Sequence, residues 1–226
     1  MASASSGRWL RGGKPAIIYA FGDSIVCGHQ YPQQGSVERV AASLGDCRVV
    51  KMARNGATIC HTELRAPDLG GQIKLQCDEV PADAPCPDAI VFNGLTNDVH
   101  QGLVHNRLGE LSAPVDFDPA DFDQSSYAGC FEATIAEFHH RWPSVPVVYM
   151  AVHKNGAQSF EDQLAARKVS LDACEKWGVI VADVWADADL DTRRDQDRIM
   201  YSFDDLGSDE LPGTPKTITY DDSARH

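Results

Sequence analysis

No stretch of this chain approaches the roughly 20 consecutive apolar residues that a membrane span requires. The N-terminus, MASASSGRWLRGGKP, carries basic residues, but the apolar run that follows, AIIYAF, is too short for the core of a signal peptide. Positive charge is not in excess either. Asp and Glu number 33 against 20 Lys and Arg, a formal net charge of −13, and the pI is near 4.9. That balance argues against nucleic acid or an anionic membrane surface as the main partner. The seven cysteines (27, 47, 60, 77, 86, 130 and 174) are odd in number, and no Cys-x-x-Cys pair occurs. Neither a zinc site nor a disulfide framework is indicated, and reduced thiols in a cytoplasmic protein are the expectation. No Gly-x-Gly-x-x-Gly or phosphate-loop pattern is present, so no nucleotide cofactor is expected. The run Asp187-x-Asp189-x-Asp191 begins like a calcium loop, yet Thr192 stands where that loop needs Gly and Arg198 where it needs Glu. Metal is not expected there.

What remains is a chain of 226 residues, 43% hydrophobic, suited to a single α/β domain spanning 1–226. Five short apolar runs rich in β-branched residues stand out: 16–21, 47–53, 88–94, 145–153 and 178–185. Each is nearly continuous in its apolar character and bounded by Gly, Pro, Asn or Asp, as strands buried on both faces of a parallel sheet are. Helical patterns lie between them. In 35–45, Val37, Val40, Ala41 and Leu44 share one face, with Gly45 as C-cap. In 125–142, Tyr127, Phe131, Ile135 and Phe138 recur at spacings of three and four, and 159–178 opens with Ser159 and Asp162 placed like a capping box. Alternating strands and helices predict a three-layer α/β/α sandwich around a mostly parallel five-stranded sheet. The flavodoxin-like folds share that architecture.

Ligands of such folds bind at the carboxyl ends of the strands. Just past the first strand run come Gly22, Asp23 and Ser24. Past the second comes ARNGAT, with Asn55 and Gly56. Past the third comes NGLTND, with Thr96, Asn97 and Asp98, and His153 closes the fourth. Taken singly, Gly-Asp-Ser is a turn, Gly56 a turn glycine and Asn97 an Asx-turn residue.

Together, FGDSIVCGH, ARNGAT, NGLTND and the closing DDSARH resemble the four blocks of the SGNH (GDSL-type) hydrolases, in the family's order and each at a plausible distance. The resemblance implies an ester hydrolase that needs no cofactor. Ser24 would be the nucleophile, His226 the base and Asp222 the carboxylate that orients it. The oxyanion hole would be made by the Ser24 and Gly56 backbone N–H groups and the Asn97 side-chain amide. Asp23, Thr96 and His153 would line the substrate site, Asp23 chiefly by shaping the turn. A serine hydroxyl needs such a base to become nucleophilic, and the tetrahedral intermediate needs donors aimed at its oxyanion.

Two departures from the family pattern are visible. Leu95 stands two before Asn97 where the family has Gly, so the backbone there is expected to run differently. In the last block Ser223 stands three before His226 where the family has Asp, and the sequence stops at His226. We read this as a truncated piece of a longer product. Asp221 and Asp222 are both candidates to orient His226, a Ser-His dyad aided by a backbone carbonyl is another arrangement, and His153 is a substitute base. The expected substrate is a small-molecule or carbohydrate ester, and oligomeric state is not legible. Two other readings share the architecture: a catalytically inactive SGNH-fold module that binds a carbohydrate or a protein, and a flavodoxin-like binding domain of different ancestry.

Overall fold

All five apolar runs form strands, and they join one parallel sheet in the order β2-β1-β3-β4-β5. They are β1 (Ala16–Phe21), β2 (Cys47–Lys51), β3 (Ala89–Phe92), β4 (Val147–Ala151) and β5 (Ile180–Asp183). The computed structural model describes residues 14–29, 34–62, 70–113 and 118–197. The closing block, with Asp221, Asp222 and His226, lies outside the described residues.

Helices cover the two faces unequally. The strand period of two sends Tyr19 and Phe21 to one side and Ala20 to the other. On the Tyr19 side, α4 (Tyr127–Arg141) and α5 (Phe160–Trp177) pack over the main core. There α4 lays down the stripe expected from its spacing. Phe138 meets Phe21 at 4.9 Å between ring centres, and Phe131 meets Tyr149 edge-on at 5.1 Å. Both long helices are capped as their sequences suggest. Ser126 accepts from the Gly129 amide at 3.2 Å, Ser159 accepts from Asp162 at 3.2 Å, and Gly178 ends α5 at φ +67°. Glu132 is buried in α4, where Lys176, Trp177 and the Ser112 amide all donate to its carboxylate.

On the Ala20 side, α2 (Ser36–Leu44) and the one-turn α1 (Ser24–Cys27) close a smaller cluster of Ala20, Val26, Val37 and Ala53. The four-residue apolar face expected of α2 is only half used. Val37 and Ala41 are buried, whereas Val40 is 57% and Leu44 44% exposed. This helix lies along the β2 edge of the sheet, so only a narrow stripe of it meets other elements.

Strand order reverses between β1 and β3. The chain steps outward from β1 to β2, then returns past β1 to continue through β3, β4 and β5. Crossovers leaving in opposite directions open a crevice at the carboxyl ends of the strands where they diverge. The segments after β1 and β3, which carry Ser24 and Asn97, both lie at that place.

Candidate functional site

The first segment is held from three sides. Gly22 leaves β1 at φ +141°, and a Cβ there would come within 1.9 Å of the Asn93 Oδ1. Gln76 grips the Gly22 peptide on both sides, accepting from its N–H at 2.9 Å and donating to its carbonyl at 2.9 Å. The Arg54 amide also donates to the Gly22 carbonyl at 3.0 Å, which ties the segment after β2 to the one after β1.

Asp23 is fully buried and caps α1, its Oδ1 accepting from the Ile25 amide at 2.9 Å. Asn93, at the end of β3, pairs with it twice: Nδ2 donates to the Asp23 Oδ1 at 2.7 Å, and Oδ1 accepts the Asp23 amide at 3.0 Å. Burial raises the Asp23 carboxyl above the usual range, against the pull of the Asn93 and Ile25 donors. Its contacts are those of a residue that shapes the turn. Ser24 follows at once, half-buried, as the first residue of α1.

The second and third segments are clasped together. Asn97 Nδ2 donates to the Ala57 carbonyl at 2.9 Å. Its neighbour Asp98, fully buried, accepts the Ile59 amide at 3.0 Å on one carboxylate oxygen and the Cys60 amide at 2.8 Å on the other. Burial pushes the Asp98 carboxyl up to about 6, while those two amides pull it down. Gly94 admits this approach, since a Cβ there would lie 2.5 Å from the Ile59 side chain. From the far side Gln72 donates to the Ile59 carbonyl at 2.9 Å, and a Cβ on Gly70 would strike Gly56 at 2.4 Å.

Leu95 answers the first departure in the sequence. It holds φ +88°, in the half of the backbone map that glycine favours, with its side chain buried. With ψ −47° this is a course that L residues rarely adopt, and Thr96 and Asn97 begin the short helix α3 (Thr96–His100) directly after it.

Ser24, Gly56 and Asn97 are thus on segments joined to one another by hydrogen bonds at the switch point of the sheet. His153 is half-buried just beyond β4, two strands away from β1, and burial lowers its pKa. His29, half-buried after α1, is lowered by the same cause. Among the described residues no three His, Cys, Asp or Glu side chains converge as metal ligands, and all seven cysteines are free thiols. Asp191, in the run that begins like a calcium loop, is engaged by Arg193. No helix among the described residues is long and apolar enough to cross a membrane.

Sequence reading did not assign Gln76, Asn93 or the grip of Asp98. Asn93 carried a weak signal, a polar residue ending an apolar strand beside a glycine. Gln76 carried none, because it reaches Gly22 across 54 positions from a 3-10 turn.

The parallel sheet brings the segments of Ser24, Gly56 and Asn97 to one rim, and the comparisons show the family in which this fold occurs here. The chain matches the sequence model of the GDSL-like lipase/acylhydrolase family over residues 20–206, and it belongs to that family. No curated relative matches it by sequence. Solved structures share its fold at low identity. A Lactobacillus plantarum protein superposes with a TM-score of 0.63 at 18% identity, covering 85% of this chain and 88% of its own. AlinE4, an SGNH-hydrolase family esterase, gives 0.53 at 16% over 75% and 76%. A member of the lipolytic G-D-S-L family from Veillonella parvula gives 0.51 at 17% over 75% and 78%.

Proposed function

We propose that the chain is a serine esterase or carbohydrate O-deacetylase with Ser24 as its nucleophile. The Ser24 hydroxyl adds to the ester carbonyl while His226 takes its proton. The tetrahedral oxyanion is received by the Ser24 and Gly56 N–H groups and the Asn97 amide. Collapse expels the alcohol, which regains the proton, and water then hydrolyses the acyl-enzyme. Asp222 orients the imidazole. If His226 does not serve, His153 is the substitute, since its burial favours the neutral imidazole that a general base must present.

The observation that carries this reading is the clasp of Asn97 on Ala57. An amide nitrogen has two protons, and the Ala57 carbonyl takes one of them. The other is the donor an oxyanion requires, and it is fixed beside Gly56 by the bond that the first one makes. Meanwhile Asp23, Asn93 and Gln76 hold the backbone on which Ser24 stands.

The test is Ser24→Ala, assayed with a small chromogenic acetate ester. Turnover should fall by at least 10³-fold with the unfolding midpoint unchanged, because the residual rate of hydrolases lacking their nucleophile comes from the remaining site alone. Undiminished turnover would remove Ser24 from the mechanism. Labelling by a fluorophosphonate separates this reading from the inactive binding module, since an activated serine is required for reaction.

A further inference from the structure

We infer that Asp98 is a positioning residue of the oxyanion hole, holding the Gly56 segment at a fixed distance from Asn97. The inference rests on the reading of Ser24, Gly56 and Asn97 given above, and it assigns a role to a side chain that touches no substrate.

Two adjacent side chains grip one short segment. Asn97 holds its Ala57 carbonyl, and Asp98 holds the Ile59 and Cys60 amides with one carboxylate oxygen each. Three bonds of 2.8–3.0 Å therefore span residues 57–60, immediately after Gly56. Asn97 and Asp98 follow one another in α3, so whatever displaces the segment relative to Asp98 displaces Gly56 relative to the Asn97 amide as well. A carboxylate accepting two backbone N–H groups in a fully buried place is far more directional than a surface ion pair, because every alternative leaves a donor unsatisfied. The fit is also tight sterically. Ile59 is wedged against Gly94 on one side, and the segment is bonded to Gln72 on the other. Cys60, itself one end of the gripped segment, is buried together with Cys130.

Oxyanion donors act on charge that exists only in the transition state, and an error of about 1 Å in their placement costs on the order of 10²-fold. Asp98→Asn keeps the shape but sets an amide N–H against one of the two backbone donors. The expected result with an acetate ester is a kcat lower by about 10- to 100-fold and a KM within about twofold. A boronic acid inhibitor supplies a readout that stability alone does not move. It adds the Ser24 Oγ to boron, passes the serine proton to the base, and leaves a tetrahedral boronate with one oxygen in the oxyanion position. Its Ki should rise by the same factor by which kcat/KM falls.

A folded Asp98→Asn with kcat and boronate Ki within twofold of the parent overturns the inference, as does a loss confined to KM. If Asp98→Asn does not fold, Asp98→Ser keeps one acceptor and carries the same comparison; failure of both to fold also overturns it, in favour of a purely structural part. Fluorophosphonate labelling of the parent tells the two levels apart. A labelled parent with an unaltered variant removes only Asp98, whereas an unlabelled, inactive parent removes the esterase reading with it.

Discussion

Buried polar side chains tie both ends of the sheet's rim, but only the β4–β5 end adds a layer of charged pairs at the surface. Around β1 and β3 the connecting segments are tied by buried polar side chains: Gln76 on Gly22, Asn93 on Asp23, Asn97 on Ala57 and Asp98 on Ile59 and Cys60. Beyond β4 the buried Gln163 and Thr192 likewise hold the Asn155 and Gly156 amides, and outside them lies an additional layer of charged, more exposed ties. Arg193 lies over Phe160 at 3.7 Å and pairs with Asp191, and Arg194 pairs with Asp197 and Asp189. Phe160 stacks on Trp185 at 5.7 Å, with Arg167 over the other ring. Buried polar ties fix geometry because every alternative strands a donor or acceptor away from water, although the Asp23 Oδ2 itself has no hydrogen-bond partner among the described residues. Exposed ion pairs exchange freely with solvent and contribute little. The nucleophile and oxyanion candidates all sit at the first end.

The largest break in that contrast should come from Gly22→Ala. A methyl group there would sit 1.9 Å from the Asn93 Oδ1, at φ +141°, which L residues rarely adopt. Asn93 would have to leave Asp23, so backbone strain and the loss of one of the two donors to that buried carboxylate add together. A loss of about 3 kcal/mol or more is expected in urea unfolding. Esterase activity should fall with it, even under conditions where the variant is still folded. A midpoint within error of the parent would mean that the Asp23–Asn93 pair does not set the turn.

The second effect is one of pH, and Asp98 gives its sign. Its carboxyl titrates near 6 in the folded chain, against 3.8 for an ordinary aspartate. Between those values the folded chain holds a proton that the unfolded chain has released. The resulting stabilisation is complete below the lower value and is lost as the pH rises through the upper one, on the order of 2–3 kcal/mol across the window. Buried His29, His139 and His153 work in the opposite direction, because burial lowers their pKa values and acid must charge them. The measurement is therefore a difference. Unfolding free energies of parent and Asp98→Asn, taken from pH 7 to pH 4, should diverge as the pH falls, with the parent gaining. Parallel curves would show that Asp98 does not titrate in that range.

Much of the first end was legible in sequence, and the reason is the strand period. Short apolar runs ended by Gly, Asn or Asp can be read as strands of a parallel sheet, although the edge strands β2 and β5 contain no fully buried residue. Those ends located Ser24, Gly56 and Asn97 on one rim. All five strand runs and the three long helices were found, with observed ends lying within a few residues of the expected ones. What escaped was long-range pairing. Gln76 reaches Gly22, and Asp98 reaches Ile59 and Cys60 over 39 and 38 positions, through bonds that leave no periodic trace. Leu95 holds a positive φ that its residue type does not announce, because the surrounding fold imposes it and buries the side chain. The apolar face of α2 was read four residues wide, although an edge helix needs only the stripe of Val37 and Ala41.

The smallest effect belongs to the other end and makes the comparison quantitative. Arg194 donates to Asp197 and Asp189, and its side chain is 48% exposed, with Asp189 at 94%. The Asp191 amide, and after it Arg194, hold the Asp197 carboxyl below the usual carboxylate range. Water and salt can do nearly the same, and holding a long arginine side chain in one rotamer costs entropy. Arg194→Ala should therefore leave the unfolding midpoint within error of the parent, at low and at high salt. Ester turnover should be unchanged, because nothing in the Ser24 rim leans on this pair. A clearly lowered midpoint, or a tenfold drop in kcat, would show that the charged layer of the β4–β5 end takes part in fixing the site, and the difference between the two ends would have to be given up.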